Sequence, residues 1–378
     1  MKKITTGTIT FHASHNYGSM LQAYALQQIL INELGVVNEL INFRSIDQKK
    51  MYSYPTEKKH SWKLKFIKFL LPNTLEDRKK KYNLFEKFLA DYLQLSPEFK
   101  DDKEVIQYAR KFDYLIAGSD QIWNTCCKDF NWLYYLPFAN GNAVAYAPSM
   151  GPNSKKQVLN LHYENIKSHL QHFKAISVRE KGTLDIIKCL SKKNIEILID
   201  PTLLITKNKW NTLSGDKPLI DGDYIFMYHP FIDKEICRVT SNVSQLLGMP
   251  AYVSNQLPPI IEFKNMMSVK RKLKYKLDAG PIEFLNLLKN AKYVISGSFH
   301  AVVFSIIFQK PFLALNGKED NRMYQLLKST DLLNYAVNKD DYIQVLNKLD
   351  NIDFTKSTRY IEEEKYKSIS FLKEAFDM

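Results

Sequence analysis

The chain opens Ile4-Thr5-Thr6-Gly7-Thr8-Ile9-Thr10-Phe11, turns through His12-Ala13-Ser14-His15-Asn16-Tyr17-Gly18, runs from Ser19 to Leu34, stops at Gly35 and resumes at Val37 to Phe43. The first run, rich in β-branched residues, reads as a strand. The second reads as a helix closed by a glycine, the residue that most readily takes the left-handed conformation at a helix end. The third reads as a strand again. A strand, a helix and a strand in that order form a β-α-β unit, which implies parallel strands joined by a right-handed crossover.

The same rhythm continues outward. Short apolar runs return at Tyr114 to Ala117, Ala143 to Ala147, Ala175 to Val178 and Ile195 to Ile199, with helical stretches between most of them. A second series follows the polar stretch Thr206 to Asp223, with runs at Tyr224 to Tyr228, Ala251 to Val253, Tyr293 to Ile295 and Phe312 to Leu315. The 378 residues suit two domains of about 150 residues each better than one core. The expected fold is therefore α/β, with two Rossmann-like domains facing a cleft in the GT-B manner. Residues 1–205 form the first domain, with a basic helical insertion near 49–100, and residues 206–378 the second. The last helix, about 357–376, is expected to pack back on the first domain. In open parallel sheets ligands bind beyond the carboxyl ends of the strands, so functional residues should follow strands directly.

Composition narrows the class. Lys and Arg exceed Asp and Glu to give a net charge of +13, which favours anionic partners. No base-reading module accompanies that charge, so nucleic acid is not an expected partner. Four cysteines, Cys126, Cys127, Cys189 and Cys237, form no C-x-x-C pair and read as reduced thiols. The amino terminus shows no apolar leader, and no window reaches the roughly 18 apolar residues of a membrane span. The expected location is cytoplasmic. Residues 58–81 mix Lys with Trp62, Phe66 and Leu70, the pattern of a helix lying on an anionic membrane, so peripheral contact at the inner face of the plasma membrane is one reading and a solvated surface insertion the other. His162, His169 and His172 fall towards one side of a predicted helix, but no acid or cysteine completes a ligand set, and no metal site is expected.

Three strand ends carry groups suited to chemistry. In Tyr293-Val294-Ile295-Ser296-Gly297-Ser298-Phe299-His300 an apolar strand breaks at Ser-Gly-Ser and enters an apolar helix. The amides of such a first turn attract an anion. His300 in that turn could bind a phosphate or carboxylate or move a proton, or it could be a satisfied polar residue beside a serine cap. In Asp113-Tyr114-Leu115-Ile116-Ala117-Gly118-Ser119-Asp120-Gln121-Ile122-Trp123-Asn124, Asp120 is a candidate base and hydroxyl ligand. Asn124 could bind sugar hydroxyls, and Trp123 could lie against a pyranose ring or belong to the core. Arg179, after Ala175-Ile176-Ser177-Val178, could grip a carboxylate or phosphate, or form a salt bridge to Glu180 or another acid. The amino-terminal turn adds His15, Asn16 and Tyr17. Neither a dinucleotide fingerprint nor a P-loop is present.

The phrases Asn16-Tyr17-Gly18-Ser19 with Leu21 to Leu26, Gly118 to Asn124, Tyr146-Ala147-Pro148-Ser149-Met150-Gly151, Ile176 to Glu180, Asp200-Pro201-Thr202-Leu203-Leu204, and Ser298-Phe299-His300-Ala301 through Pro311 resemble, in order, the motifs of polysaccharide pyruvyl transferases. The resemblance implies a GT-B-like fold and a transferase. It would move a pyruvyl group from phosphoenolpyruvate to sugar hydroxyls, forming a ketal in surface polysaccharide, with no cofactor beyond that donor. It also implies a saccharide or lipid-linked oligosaccharide as acceptor. His300 becomes the candidate general acid, with Asp120 or His15 as base. Arg179, Gly297 and Ser298 become donor ligands, and Asn16, Tyr17, Trp123 and Asn124 acceptor ligands. Where the family usually has Arg-Leu-His this chain has Ser298-Phe299-His300, and Arg322 and Lys318 are the candidate replacement cations. A nucleotide-sugar glycosyltransferase and a non-catalytic saccharide-binding protein are the competing readings.

Overall fold

Two sheets, each of six parallel strands, organise the chain. The computed structural model describes residues 3–54, 73–99, 101–152, 155–230, 232, 234–254 and 273–378. The first sheet holds β1 (Thr5–Ile9), β2 (Val37–Leu40), β3 (Tyr114–Asp120), β4 (Ala143–Pro148), β5 (Phe173–Val178) and β6 (Ile195–Ile197). Their spatial order is β2-β1-β3-β4-β5-β6. The second holds β7 (Ile225–Tyr228), β8 (Ala251–Ser254), β9 (Leu273–Tyr275), β10 (Tyr293–Ser296), β11 (Phe312–Leu315) and β12 (Ala336–Val337), in the order β12-β11-β10-β7-β8-β9. These are two Rossmann-like α/β domains.

The apolar runs become strands because helices cover both faces of each sheet. Parallel strands so covered need side chains that tolerate burial on either face, and every residue of β4, β7, β10 and β11 is buried. The helix Phe299–Phe308, apolar on all sides, is likewise buried along its whole length. Since each sheet is parallel throughout, its carboxyl ends share one edge. Thr10 to Asn16, Asp120 and Arg179 follow strands at that edge of the first sheet, and His229 and Gly297 at that edge of the second.

The chain divides into two compact units. The first comprises Met1–Tyr52, Leu89–Ile205 and Arg359–Met378, and the second Ser53–Phe88 and Thr206–Thr358. Within the first, the helix Thr355–Ala375 delivers Phe376 against the Tyr114 ring, with centroids 5.1 Å apart. Phe371, Leu372 and Phe376 are buried there. Within the second, Lys80 of the helix Asn73–Tyr92 donates to Asp278 at 2.6 Å. A side chain at Gly280 would meet Leu84 Cβ at 2.5 Å, so glycine allows this helix its approach. Of the basic stretch 58–81 read as a membrane face, residues 58–72 lie outside the described residues.

Candidate functional site

In the first unit β3 ends in Gly118-Ser119-Asp120. Gly118 has φ 137°, and a Cβ there would lie 2.0 Å from the Tyr146 carbonyl oxygen, so only glycine fits beside β4. Ser119 is fixed on three sides. Its amide donates to Gln22 Oε1 at 3.1 Å, its carbonyl accepts from Thr10 Oγ1 at 3.0 Å, and its hydroxyl donates to the Ala147 carbonyl at 2.7 Å. This clamp holds Asp120 in the left-handed region, φ 73°. Its Oδ2 accepts from Ser19 Oγ at 2.6 Å and its Oδ1 from the Gln121 amide at 2.8 Å.

Arg179 follows β5, and its side chain is 2% exposed. Its Nη1 donates to Asp200 Oδ2 at 2.9 Å and lies 3.8 Å from Asp120 Oδ1, while its Nε is 3.6 Å from Glu180 Oε2. Asp200 in turn accepts from the amide and hydroxyl of Thr202, and Glu180 accepts from Thr183. Burial opposes the charge on Arg179, but Asp200, Glu180 and Asp120 outweigh it and hold the guanidinium protonated beyond its ordinary range. Of the two readings of Arg179, the salt bridge to an acid is the one these contacts make. One cation already faces three carboxylates, and a further anion arriving there would meet net negative charge.

The expected acceptor ligands are also engaged internally. Asn16 caps the helix Tyr17–Asn32, accepting from the Gly18 and Ser19 amides at 2.9 and 3.3 Å, and Tyr17 is buried. Trp123 is 1% exposed, stacks on Tyr135 at 4.9 Å and donates to the Tyr134 carbonyl, so it presents no face to a sugar. Asn124 donates to Gln121 Oε1 and accepts from the Cys126 amide. His15 stacks on Tyr52 with centroids 5.6 Å apart. His162 and His169 pack against Trp132, at 5.6 and 5.5 Å. Among the described residues no group of His, Cys, Asp and Glu could hold a metal ion.

In the second unit β10 leads into the turn Ser296-Gly297-Ser298. Ser296 Oγ ties the turn to β7 by donating to the Tyr228 carbonyl, and it accepts from the Ser298 amide at 3.0 Å. Ser298 occupies the cap of the helix Phe299–Phe308 without a side-chain cap bond, and His300 is the second helical residue. A side chain at Gly297 would lie 2.2 Å from His229 Nε2, so the imidazole of the residue after β7 packs against the turn itself. His229 carried no signal in the sequence, because pairing of Tyr228 with Ser296 brings it there. Arg322 binds Asp320 through Nε and Nη2 and lies 5.8 Å over the Phe299 ring, next to His300. Burial opposes ionisation of Asp320, but Arg322 and the amides of Arg322 and Met323 hold its carboxyl below the usual range. Lys318 is exposed.

The two strand-end clusters thus differ in charge. The first collects Asp120, Glu180 and Asp200 around one arginine, whereas in the second Arg322, over the Phe299 ring, is balanced by Asp320. Sequence reasoning missed Asp200 as the partner of Arg179 and Ser19 as the donor to Asp120, although both lie in quoted motifs.

Among the described residues no helix is long and apolar enough to cross a membrane. No curated protein matches the chain. Solved structures share its fold. A UDP-N-acetylglucosamine 2-epimerase from Rickettsia bellii aligns with TM-score 0.55 at 8% identity, over 100% of this chain and 98% of its own. The UDP-GlcNAc 2-epimerase of Methanocaldococcus jannaschii, in complex with UDP-GlcNAc and UDP, aligns with TM-score 0.52 at 12% identity, over 97% and 100%. These likenesses establish the two-domain GT-B fold. A family model for polysaccharide pyruvyl transferases matches residues 16–319, a span that carries every strand-end motif above, and the chain belongs to that transferase family.

Proposed function

We propose that the chain transfers a pyruvyl group from phosphoenolpyruvate to hydroxyls of a saccharide acceptor. The observation that carries this reading is the turn at Gly297, against which His229 packs and from which the helix bearing His300 in its first turn begins. Such a turn suits a small acid carrying phosphate and carboxylate. His300 delivers a proton to the terminal carbon of the enol ether, leaving an electrophilic centre at the carbon bearing the carboxylate. A sugar hydroxyl adds to that centre and gives up its proton to a base. Attack by a second hydroxyl expels inorganic phosphate and closes the ketal. With Ser298 where the family usually has arginine, Arg322 supplies the nearby positive charge, already shared with Asp320.

Phosphate release from phosphoenolpyruvate, followed with a panel of saccharide acceptors, tests the reading. His300→Ala is expected to lower the rate by a factor of roughly 10² to 10⁴. A fully active His300→Ala protein removes His300 from the chemistry.

The second reading, a nucleotide-sugar transferase, draws on the solved neighbour in complex with UDP-GlcNAc and UDP. Thermal stabilisation by UDP together with indifference to phosphoenolpyruvate would favour it.

A further inference from the structure

In the first unit Ser14, from the turn after β1, is buried with three polar side chains that belong to no strand-end motif. Gln48, from the short helix Ile46–Met51, donates through Nε2 to Ser14 Oγ at 3.0 Å. Ser14 donates to Asp129 Oδ2 at 3.2 Å. The Tyr134 hydroxyl lies within electrostatic range of Asp129, Tyr52 and Asp120. Gln48 is 2% exposed and Tyr134 0%. Yet Gln48 Oε1 and the Tyr134 hydroxyl meet no hydrogen-bonding partner among the described residues.

A polar atom buried without a partner costs about 1–3 kcal/mol. Two in one cluster are uncommon in a settled core, and neither belongs to the chemistry proposed above. Their types are complementary. Gln48 Oε1 can only accept, whereas the Tyr134 hydroxyl can donate as well. A sugar hydroxyl does both. Half-buried Tyr52, stacked with His15, gives the cluster an aromatic edge towards solvent, of the kind that packs on a pyranose ring. Since Trp123 and Asn124 are engaged elsewhere, the acceptor needs other ligands in this unit.

We propose that Ser14, Gln48, Asp129 and Tyr134 form a hydroxyl-reading subsite for the saccharide acceptor, edged by the stacked rings of His15 and Tyr52. The inference rests on the transferase reading for its substrate class. It assigns sugar selection to residues other than the proton donor His300.

Two variants test it in the full chain. Tyr134→Phe removes the hydroxyl and keeps the ring packed against Phe11. Gln48→Met keeps the shape and removes both polar atoms. The probes are p-nitrophenyl β-glycosides of glucose, galactose, mannose and their 2-acetamido forms, titrated by calorimetry and used as acceptors for phosphate release. Each variant is expected to bind the preferred glycoside about tenfold more weakly, with KM for phosphoenolpyruvate unchanged. Tyr134→Phe should melt at or above the wild-type temperature, because it loses a hydroxyl that had no partner within the fold. Should Gln48→Met fail to fold, Tyr134→Phe decides alone. Unchanged glycoside affinity in a Tyr134→Phe protein that melts earlier would mean a buried water only, and would overturn the subsite. So would a wild-type chain that binds none of the glycosides. If the variants lose glycoside binding while the wild type releases no phosphate, the subsite stands and the pyruvyl chemistry fails. If phosphate is released and acceptor KM ignores both variants, the chemistry stands and the subsite fails.

Discussion

Gly297 and Arg179 show two ways in which a single position is constrained, and they differ in how visible the constraint is beforehand. Gly297 is readable because a strand, a glycine and an apolar helix follow one another without a break. Alanine there would drive a methyl group into His229, so Gly297→Ala is expected to lower phosphate release at least tenfold while circular dichroism and melting show a folded chain. For Arg179 the strand-end position is equally plain, but the partner that decides its role, Asp200, lies 21 residues downstream and meets it only through the parallel sheet. A bidentate grip on substrate and a buried salt bridge look identical in one dimension. Asp200→Asn removes the direct hydrogen-bonding carboxylate of an enclosed cation that keeps Glu180 and Asp120 nearby, and is expected to cost about 1.5–3 kcal/mol in urea unfolding. Arg179→Lys keeps the charge but loses the planar fork that meets Asp200, and is expected to melt below the wild type in calorimetry.

Strands of four or more residues were legible because burial on both faces writes a continuous apolar run. The expected Tyr293 to Ile295 and Phe312 to Leu315 became Tyr293–Ser296 and Phe312–Leu315. The edge strands Leu273–Tyr275 and Ala336–Val337 were missed, since neither sits in a longer apolar run, whereas the equally short edge strand Ile195–Ile197 was found through the run Ile195 to Ile199. The helix Asn73–Tyr92 was legible as basic and helical, but its attachment was not, because Lys80 finds Asp278 across a long stretch of chain. Burial works against ionisation of Asp278, yet hydrogen bonds from Lys80 and Lys276 hold its carboxyl below the ordinary value. An acid depressed in this way contributes stability above its unfolded value and loses it as pH falls through the folded one. The melting temperatures of wild type and Lys80→Ala should therefore differ most near neutrality. The gap should close as the medium is acidified below the usual carboxylate range.

The net charge of +13 is not spread evenly over function. The cluster around Asp120 sets three carboxylates against one arginine, whereas near the turn at Gly297 the charge of Arg322 is balanced by Asp320. The first unit is assembled from three separated stretches, and Arg359–Met378 supplies the last of them. Deleting that stretch would uncover the surface that Phe371, Leu372 and Phe376 bury. It is expected to split thermal unfolding into two steps, the earlier one belonging to the first unit. The order of synthesis gives this arrangement a further meaning. As the nascent polypeptide leaves the ribosome, the second unit has all its residues once Thr358 has emerged, whereas the first, begun earlier, must wait with its apolar seam uncovered. The unit that holds β1 is therefore completed later than the one that holds β12.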